Sequence, residues 1–282
     1  GYDSAGIATI SEKNINEVKC EGRVNELEKN VNQIKLSGTI GIGHVRWATH
    51  GKPSTINAHP HSSDNVSVVH NGIIENSTIL KKILEKKGYK FKSQTDTEVI
   101  VHLVTDYLKK NNLKDTIIKV LKKLHGSFAL GIIFKDQPDL IIGARRGSPL
   151  AVGYGPDEHY LGSDSYALKS MTNKISYLND GEFCILKKDQ VEFFDSDGIK
   201  TNKEVLNLSK DEQNYEKGQY KYFMAKEIDE QPVTIKNCIN EYIDKHNNEI
   251  NIYNFPWKIT DISSVVLCLL YTSDAADDSL RV

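Results

Sequence analysis

The spacing of hydrophobic residues predicts three helices in the middle of the chain. Between Ser77 and Lys87 apolar residues recur at helical spacing, and Gly88 follows as a typical C-terminal stop. Thr95-Asp96-Thr97-Glu98 has the form of a capping box, so a second helix is expected to start at Thr95. A third helix is predicted from about Lys114 to His125, with its apolar residues on one face.

Short apolar and alternating runs predict strands on both sides of these helices. Thr39 to Arg46 and Val66 to His70 precede them, within a first part that otherwise indicates short strands and loops. Later in the chain, Gln137-Pro138-Asp139 is a turn signal between two apolar runs. The later strands are predicted at residues 127–134, 140–145, 150–154, 159–162, 175–178, 183–186 and 191–194. Few long crossover segments separate them, so antiparallel pairing is favoured and an α+β sandwich is expected.

The last part of the chain differs in character from the first. The stretch from about Asn202 to Lys221 is polar and charged, as in a linker or surface loop, and Tyr222 to about Lys245 is compatible with a helix. The final residues, Leu269 to Val282, continue no earlier pattern. We expect these final residues to be a foreign read-through tail, outside the fold.

Composition restricts the function further. The 282 residues are 39% hydrophobic and 26% charged, as is ordinary for a globular protein. With 36 Lys and Arg against 38 Asp and Glu, the net charge of −2 argues against nucleic acid as a partner. The four cysteines are widely spaced, which disfavours a disulfide scaffold and favours a reducing compartment, here the cytoplasm. The longest apolar run, Val265 to Tyr271, is too short to cross a membrane.

The densest cluster of chemically capable residues lies between positions 44 and 98. Zinc is one candidate ligand there, through His50, His59, His61 and His70. However, these residues lack the His-x-x-x-His spacing of a helical zinc site, and no Cys is near. Histidines bonded to backbone in a compact loop region are the simpler interpretation. A serine hydrolase is disfavoured because the chain has no Gly-x-Ser-x-Gly sequence.

Three polar features in this cluster each allow two interpretations. Asn71-Gly72 after a strand is most often a hairpin turn, which dipeptide statistics alone favour. The same pair could instead form an oxyanion hole from a side-chain amide and a backbone N–H. Arg46 and Asp96 could be a surface ion-pair residue and a helix N-cap, or they could bind a ligand.

Six short motifs taken together resemble a known family. They are Gly1–Gly6, Arg46–Gly51, Asn57–His61, His70–Asn76, Thr95–Val99 and Arg146–Leu150. In this order, over about residues 1 to 268, they resemble class II glutamine amidotransferases, which are N-terminal-nucleophile (Ntn) hydrolases. Within that class the chain is similar to the glutaminase domain of the glutamine–fructose-6-phosphate aminotransferases. Lys226 to Pro232 resembles the segment that leads to the sugar-isomerase half of those enzymes.

The resemblance implies a fold and a set of residue roles. The fold is a four-layer αββα sandwich, in which two antiparallel sheets lie between helical layers. The nucleophile is a terminal Cys whose own α-amino group serves as base, and no metal or other cofactor takes part. The implied site residues are Asn71 and Gly72 for the oxyanion, Arg46 for the substrate carboxylate, Asp96 for its ammonium, and Trp47, Thr49, His50 and, more weakly, His59 as pocket lining.

The resemblance also implies a domain plan. Residues 1–221 are expected to be the glutaminase domain without the front segment of about 25 residues that carries the nucleophilic Cys. Residues 222–268 are expected to be a linker helix and the start of a truncated isomerase domain. The fragment is therefore expected to be inactive alone, whereas the full protein would be a homo-oligomer that uses glutamine and fructose 6-phosphate. The alternatives are a class II amidotransferase with another acceptor and an inert glutamine-binding fragment.

Overall fold

The computed structural model describes residues 3–48, 51–208, 218–244, 249–250, 261 and 263–264. The chain divides into two compact units, with the boundary after Leu208. In the first unit, the described strands are β1 (Ser4–Ser11), β2 (Asn14–Glu21), β3 (Ile40–Arg46), β4 (His61–Ser62), β5 (Val66–Ile74), β6 (Gly126–Phe134), β7 (Gln137–Arg146), β8 (Ala151–Tyr154), β9 (His159–Gly162), β10 (Lys174–Tyr177), β11 (Phe183–Lys187), β12 (Val191–Phe194), β13 (Lys200–Thr201) and β14 (Leu206–Asn207). Its helices are α1 (Val24–Ile34), α2 (Ser77–Lys86), α3 (Glu98–Leu108), α4 (Leu113–Lys123) and α5 (Ser165–Leu168).

The strands of the first unit form three antiparallel sheets. The largest has the order β13-β12-β11-β7-β6-β5-β4, and the smaller ones have the orders β2-β1-β3 and β14-β10-β8-β9. Every described pair of neighbouring strands is antiparallel. The prediction of antiparallel pairing is therefore confirmed.

The layers follow from the burial of both faces of the large sheet. On β6, Phe128 and Leu130 pack into the main core with residues of α2, α3 and α4. Ala129 and Ile133 of the same strand project from the opposite face. Ala129 packs with residues of the four-stranded sheet, and Ile133 packs with residues of the three-stranded sheet. Outside these sheets, α1 contacts β1 and β2, and α5 contacts β8 and β9. The unit is thus an αββα sandwich, and the predicted fold class is confirmed.

Two local predictions about the first unit are wrong. Gln137-Pro138-Asp139 is not the turn of the hairpin, because Gln137 already pairs with Phe134 and begins β7. Helix α1 was not predicted, since the first part of the chain indicated only strands and loops. Its apolar residues Val24, Leu27, Val31 and Ile34 do recur at helical spacing, although none of them is buried, so the pattern was present in the sequence and was overlooked.

The second unit contains the predicted helix after Tyr222, which is α6 (Phe223–Tyr242) with Pro232 inside it. The short strands β15 (Ile243–Asp244) and β16 (Glu249–Ile250) pair in antiparallel fashion. Among the described residues, no helix has the length and apolar character needed to span a membrane. The predicted foreign tail, residues 269–282, lies outside the described residues.

Candidate active site

Three parts of the first unit bring the predicted site residues towards one another. Arg46 is the last residue of β3, and β3 contacts β5, which carries Asn71 and Gly72. Asp96 lies two residues before the start of α3, and its Oδ2 accepts a 2.7 Å hydrogen bond from the N–H of Ile74 in β5. The Asp96 carboxylate also acts electrostatically on the Arg46 guanidinium. The strand ends and the segment before α3 therefore form one polar site.

Arg46 is buried rather than part of a surface ion pair. Only 4% of the residue is exposed, and its Nη2 donates to the carbonyl oxygen of Gly51 at 3.3 Å. Burial lowers the pKa of the guanidinium, while the carboxylates of Asp3 and Asp96 act in the opposite direction. The surface interpretation of Arg46 is therefore wrong, and the side chain is a cation held inside the protein beside two carboxylates.

Asp3 fixes the chain as it leaves β3. Its carboxylate accepts a 2.7 Å hydrogen bond from the N–H of Ala48, and its own N–H donates to the carbonyl oxygen of Arg46 at 3.0 Å. Trp47 lies between these two bonds and is half-buried. Sequence reasoning gave Asp3 no role, although it belongs to the first motif. The predicted pocket residues Thr49 and His50 lie outside the described residues.

Asn71 and Gly72 are not a hairpin turn, because they lie inside β5. Asn71 is opposite Ala129 and Gly72 is opposite Phe128 in the ladder with β6. Strand alternation places Asn71 on the same face as Val69, which packs between the large sheet and the three-stranded sheet. Unlike Val69, Asn71 is exposed. Its side chain is thus exposed on the inter-sheet face of β5, one residue before Gly72.

The backbone at position 72 requires glycine. Gly72 has a φ of +133°, and a Cβ added there would lie 2.1 Å from the carbonyl oxygen of Ser127. Gly126 in the facing strand β6 is under the same steric restriction, since a Cβ added there would lie 2.2 Å from the carbonyl oxygen of Ile73. The two strands therefore approach more closely here than side chains permit. This explains the glycine of the Asn-Gly pair without a turn.

The segment before α3 is organised differently from a capping box. The helix begins at Glu98, and the Glu98 carboxylate accepts hydrogen bonds from the N–H groups of Lys92 and Ser93, at 2.9 and 2.7 Å. Burial raises the pKa of Glu98, but these bonds and contact with His102 outweigh it and lower the pKa to about 2. The hydroxyl of Thr95 lies 3.0 Å from Nε2 of His61. The capping-box prediction and the N-cap interpretation of Asp96 are therefore wrong.

Four histidines pack together behind the site. The ring centroids of His59 and His44 are 4.4 Å apart, those of His59 and His61 4.9 Å, and those of His59 and His70 6.5 Å. The hydroxyl of the fully buried Thr97 lies 2.8 Å from Nε2 of His59 and 2.9 Å from Nδ1 of His70. The rings of His59, His61 and His70 bond to threonine hydroxyls, whereas bonding to backbone was expected. In the described part of the chain, no group of three or more His, Cys, Asp or Glu residues could hold a metal ion.

Burial makes the histidine rings weak bases. It lowers the pKa of His44 to about 4 and that of His61 to about 3, and it lowers the pKa of His59 well below its usual value. Lys19 adds to the effect on His61, and the neighbouring histidines add to it on His59. These three rings are therefore neutral at pH 7 and add no positive charge beside Arg46.

Asn57 connects the loop after β3 to the segment before α3, a role that the sequence did not indicate. The residue is fully buried, and its Nδ2 donates to the carbonyl oxygen of Lys52 at 2.9 Å and to Oε1 of Gln94 at 3.1 Å. Its Oδ1 accepts from the N–H of Gln94 at 2.9 Å. The loop that contains Gly51 is thus held against the chain just before Asp96.

The described cysteines do not provide an evident nucleophile. Cys20 and Cys184 are both buried, and burial raises the pKa of each thiol. A raised pKa disfavours the thiolate, which is the nucleophilic form. Cys238 is exposed and lies in α6, in the second unit.

Comparison with known proteins identifies the family of this chain. Residues 46–170 match the glutamine amidotransferase domain family. The chain is 43% identical over 278 residues to a glutamine–fructose-6-phosphate aminotransferase of Bradyrhizobium diazoefficiens, covering 98% of this chain and 46% of that protein. It is 47% identical over 265 residues to one of Clostridium acetobutylicum, covering 93% of this chain and 42% of that protein. The chain thus spans less than half the length of these curated relatives.

A solved structure extends the comparison to the fold. Glutamine phosphoribosylpyrophosphate amidotransferase from B. subtilis, in complex with ADP and GMP, superposes with a TM-score of 0.59. It is 29% identical, and the match covers 70% of this chain and 43% of that one. The matched family includes Arg46, Asn71, Gly72 and Asp96 within its limits. The chain therefore belongs to the glutamine amidotransferases and corresponds to the glutaminase domain of the glutamine–fructose-6-phosphate aminotransferase family.

Proposed function

We propose that the site of Arg46, Asp96, Asn71 and Gly72 binds free L-glutamine and supports hydrolysis of its side-chain amide. The observation that carries this proposal is the buried Arg46 guanidinium under the influence of the Asp96 carboxylate. A free α-amino acid bears a carboxylate and an ammonium group on the same carbon. A cation and an anion fixed close together complement that pair of charges.

Each charged residue has geometry that suits one half of the amino acid. The guanidinium of Arg46 can hold the α-carboxylate with two parallel hydrogen bonds, which a lysine cannot do. Asp96 uses Oδ2 to accept the Ile74 N–H, and no hydrogen bond among the described residues uses its Oδ1. That oxygen is available for the α-ammonium group. Burial of Arg46 strengthens its interaction with the carboxylate, because water screens it less.

Asn71 and Gly72 are proposed to stabilise the oxyanion formed when the amide carbon is attacked. The exposed Asn71 side chain is a donor on a rigid strand, and the Gly72 N–H follows it in the chain. Donors that are fixed before the reaction need no reorganisation as negative charge develops. Trp47, Thr49 and His50 are proposed to line the pocket. For His59, whose ring is buried and bonded to Thr97, we propose a position behind the pocket.

The nucleophile is proposed to be a Cys at the start of a segment ahead of Gly1, as in the family. Neither buried cysteine of the first unit favours the thiolate. We therefore expect residues 1–282 to bind glutamine without multiple turnovers, and a Cys-first segment added ahead of Gly1 to restore hydrolysis. Glutaminase turnover by purified residues 1–282 would contradict this assignment of the nucleophile.

For the whole protein we propose transfer of the released ammonia to fructose 6-phosphate, giving glucosamine 6-phosphate for hexosamine synthesis. The support is the name shared by relatives that are 43% and 47% identical, compared with 29% for the phosphoribosylpyrophosphate enzyme. A cytoplasmic location and a homo-oligomeric assembly are proposed on the same family grounds. The expected division into residues 1–221, residues 222–268 and a foreign tail also stays a proposal.

Isothermal titration calorimetry of residues 1–282 with L-glutamine tests the site directly. D-Glutamine carries the same groups with the opposite configuration at the α-carbon, so it should bind much more weakly than L-glutamine. Arg46→Lys should weaken L-glutamine binding roughly ten- to a hundredfold, because one charge-assisted contact is worth about 1.5–3 kcal/mol. Arg23→Lys is the matched control, since Arg23 is exposed. An unchanged affinity in the folded Arg46→Lys protein would remove Arg46 from the site.

A further inference from the structure

Thr97 occupies a central place among the polar residues behind the site. It lies directly after Asp96, and its hydroxyl is within hydrogen-bond distance of both His59 and His70. His70 in turn directly precedes Asn71 in β5. One buried hydroxyl thus joins the segment of Asp96, the strand of Asn71 and the loop of His59.

The hydrogen-bond count shows why a hydroxyl is needed at this position. A hydroxyl group has one hydrogen and two lone pairs, so it can donate to only one of the two ring nitrogens. At least one of His59 Nε2 and His70 Nδ1 must therefore carry a hydrogen and donate to Thr97. A valine has nearly the same shape but can neither donate nor accept. It would leave two ring nitrogens without this partner in a buried environment.

We propose that Thr97 is a positioning residue that sets the spacing between Asp96 and Asn71. This inference rests on the proposed function, in which Asp96 holds the α-ammonium group and Asn71 the oxyanion. The mechanism is indirect, because Thr97 is fully buried and acts through its neighbours. The hydrogen bond from the Ile74 N–H to Asp96 is the second connection between the same strand and the same segment. The Thr97–His70 contact and the Ile74–Asp96 hydrogen bond together fix the distance between the Asp96 carboxylate and β5.

Three variants separate positioning from a general effect on folding. Thr97→Val removes the hydroxyl, and Thr97→Ser keeps it and loses only the methyl group. Thr116→Val is the matched control: Thr116 is also fully buried, but its hydroxyl has no partner among the described residues. For each folded protein we would measure L-glutamine affinity by calorimetry and exchange of the Ile74 amide hydrogen by NMR. The amide reports the bond to Asp96 and needs no ligand.

We expect Thr97→Val to weaken glutamine binding about tenfold or more and to accelerate Ile74 exchange by a similar factor. Thr97→Ser and Thr116→Val should stay within about twofold of the parent chain. A folded Thr97→Val protein with parental affinity and parental exchange would overturn the proposal. If the parent chain bound no glutamine while Ile74 exchange still depended on Thr97, only the proposed function would fail.

A measurement on the unmodified protein covers the case in which Thr97→Val does not fold. Long-range ¹H–¹⁵N spectra report which nitrogen of each imidazole carries a hydrogen. We expect a hydrogen on His59 Nε2, on His70 Nδ1 or on both, because the shared hydroxyl requires it. Spectra in which both of these nitrogens lack a hydrogen would overturn the proposal.

Discussion

Gly72→Ala is the substitution for which the structure gives the sharpest expectation. A Cβ at this position would lie 2.1 Å from the Ser127 carbonyl oxygen, whereas real Cβ contacts essentially never fall below 3.0 Å. The obstacle is backbone of the neighbouring strand, which no rotamer change can move. Strands β5 and β6 would have to separate at Gly72 by about 0.9 Å, which is the difference between 3.0 Å and 2.1 Å.

The cost can be built from two contributions. A φ of +133° is strained for any residue with a side chain, which costs about 1–3 kcal/mol. Separation of the strands weakens the ladder at Gly72, Ile73 and Ile74, where each net hydrogen bond is worth about 1 kcal/mol. The sum is about 4–6 kcal/mol. For a unit of this size a change of 1 kcal/mol shifts the melting temperature by about 2–4 °C, so we expect a decrease of roughly 8–24 °C.

Gly88→Ala separates the two contributions. Gly88 has a φ of +91°, but a Cβ there would meet nothing within 4 Å. It should therefore show only the backbone strain. Urea unfolding of both variants, followed by circular dichroism, gives the free energy of unfolding of each. The reasoning is refuted if Gly72→Ala is no less stable than Gly88→Ala.

Two further predictions concern charge. In a form of the protein with a Cys-first segment, Asn71→Asp should lower kcat by about 10²–10³ with a smaller change in KM, because it replaces an oxyanion donor by a negative charge. The control Asn14→Asp, at the exposed start of β2, should leave kcat unchanged. If the Asn71→Asp and Asn14→Asp variants lost kcat equally, the proposed role of Asn71 would be contradicted. Because burial lowers the pKa of His44 to about 4 and of His61 to about 3, the unfolded chain binds more protons than the folded one below pH 6.5. The free energy of unfolding should be at its plateau above pH 6.5 and should fall towards pH 4 by about 1.4 kcal/mol per pH unit for each ring. Urea unfolding midpoints that do not change between pH 7.5 and pH 5 would contradict this expectation.

Periodicity predicted the elements that bury a continuous face. Helices α2, α3 and α4 each contribute one face to the main core, so their apolar residues recur at the helical period. Strand β6 is buried on both faces and is therefore a continuous apolar run. Helix α1 also has apolar residues at helical spacing, but it buries none of them, and the sequence reasoning overlooked it. The order of strands and helices predicted an α+β sandwich with antiparallel strands, whereas the four-layer αββα arrangement was implied only by the family resemblance.

Local motifs were less informative, because distant residues decide what a side chain bonds to. Asn71-Gly72 is most often a turn, but here close approach of β6, visible only in the folded protein, explains the glycine. Thr95 and Glu98 have the spacing of a capping box, yet Thr95 bonds to His61, and Glu98 accepts the N–H of Ser93. Only the joint occurrence of several motifs, through the family resemblance, brought Arg46 and Asp96 into one predicted site.

The histidine cluster shows how the fold can surround a charged site without disturbing it. Buried polar groups need hydrogen-bond partners, and threonine hydroxyls provide one for a ring nitrogen of His59, His61 and His70 without adding net charge. Nδ1 of His44 and Nδ1 of His59 have no hydrogen-bond partner among the described residues. If His44, His59 and His61 were protonated, their charges would repel the α-ammonium group of a bound amino acid and compete with Arg46 for its carboxylate. Burial keeps these rings neutral at pH 7. The packing that is expected to make the fold sensitive to acid therefore also leaves Arg46 and Asp96 to define the charge pattern of the proposed site.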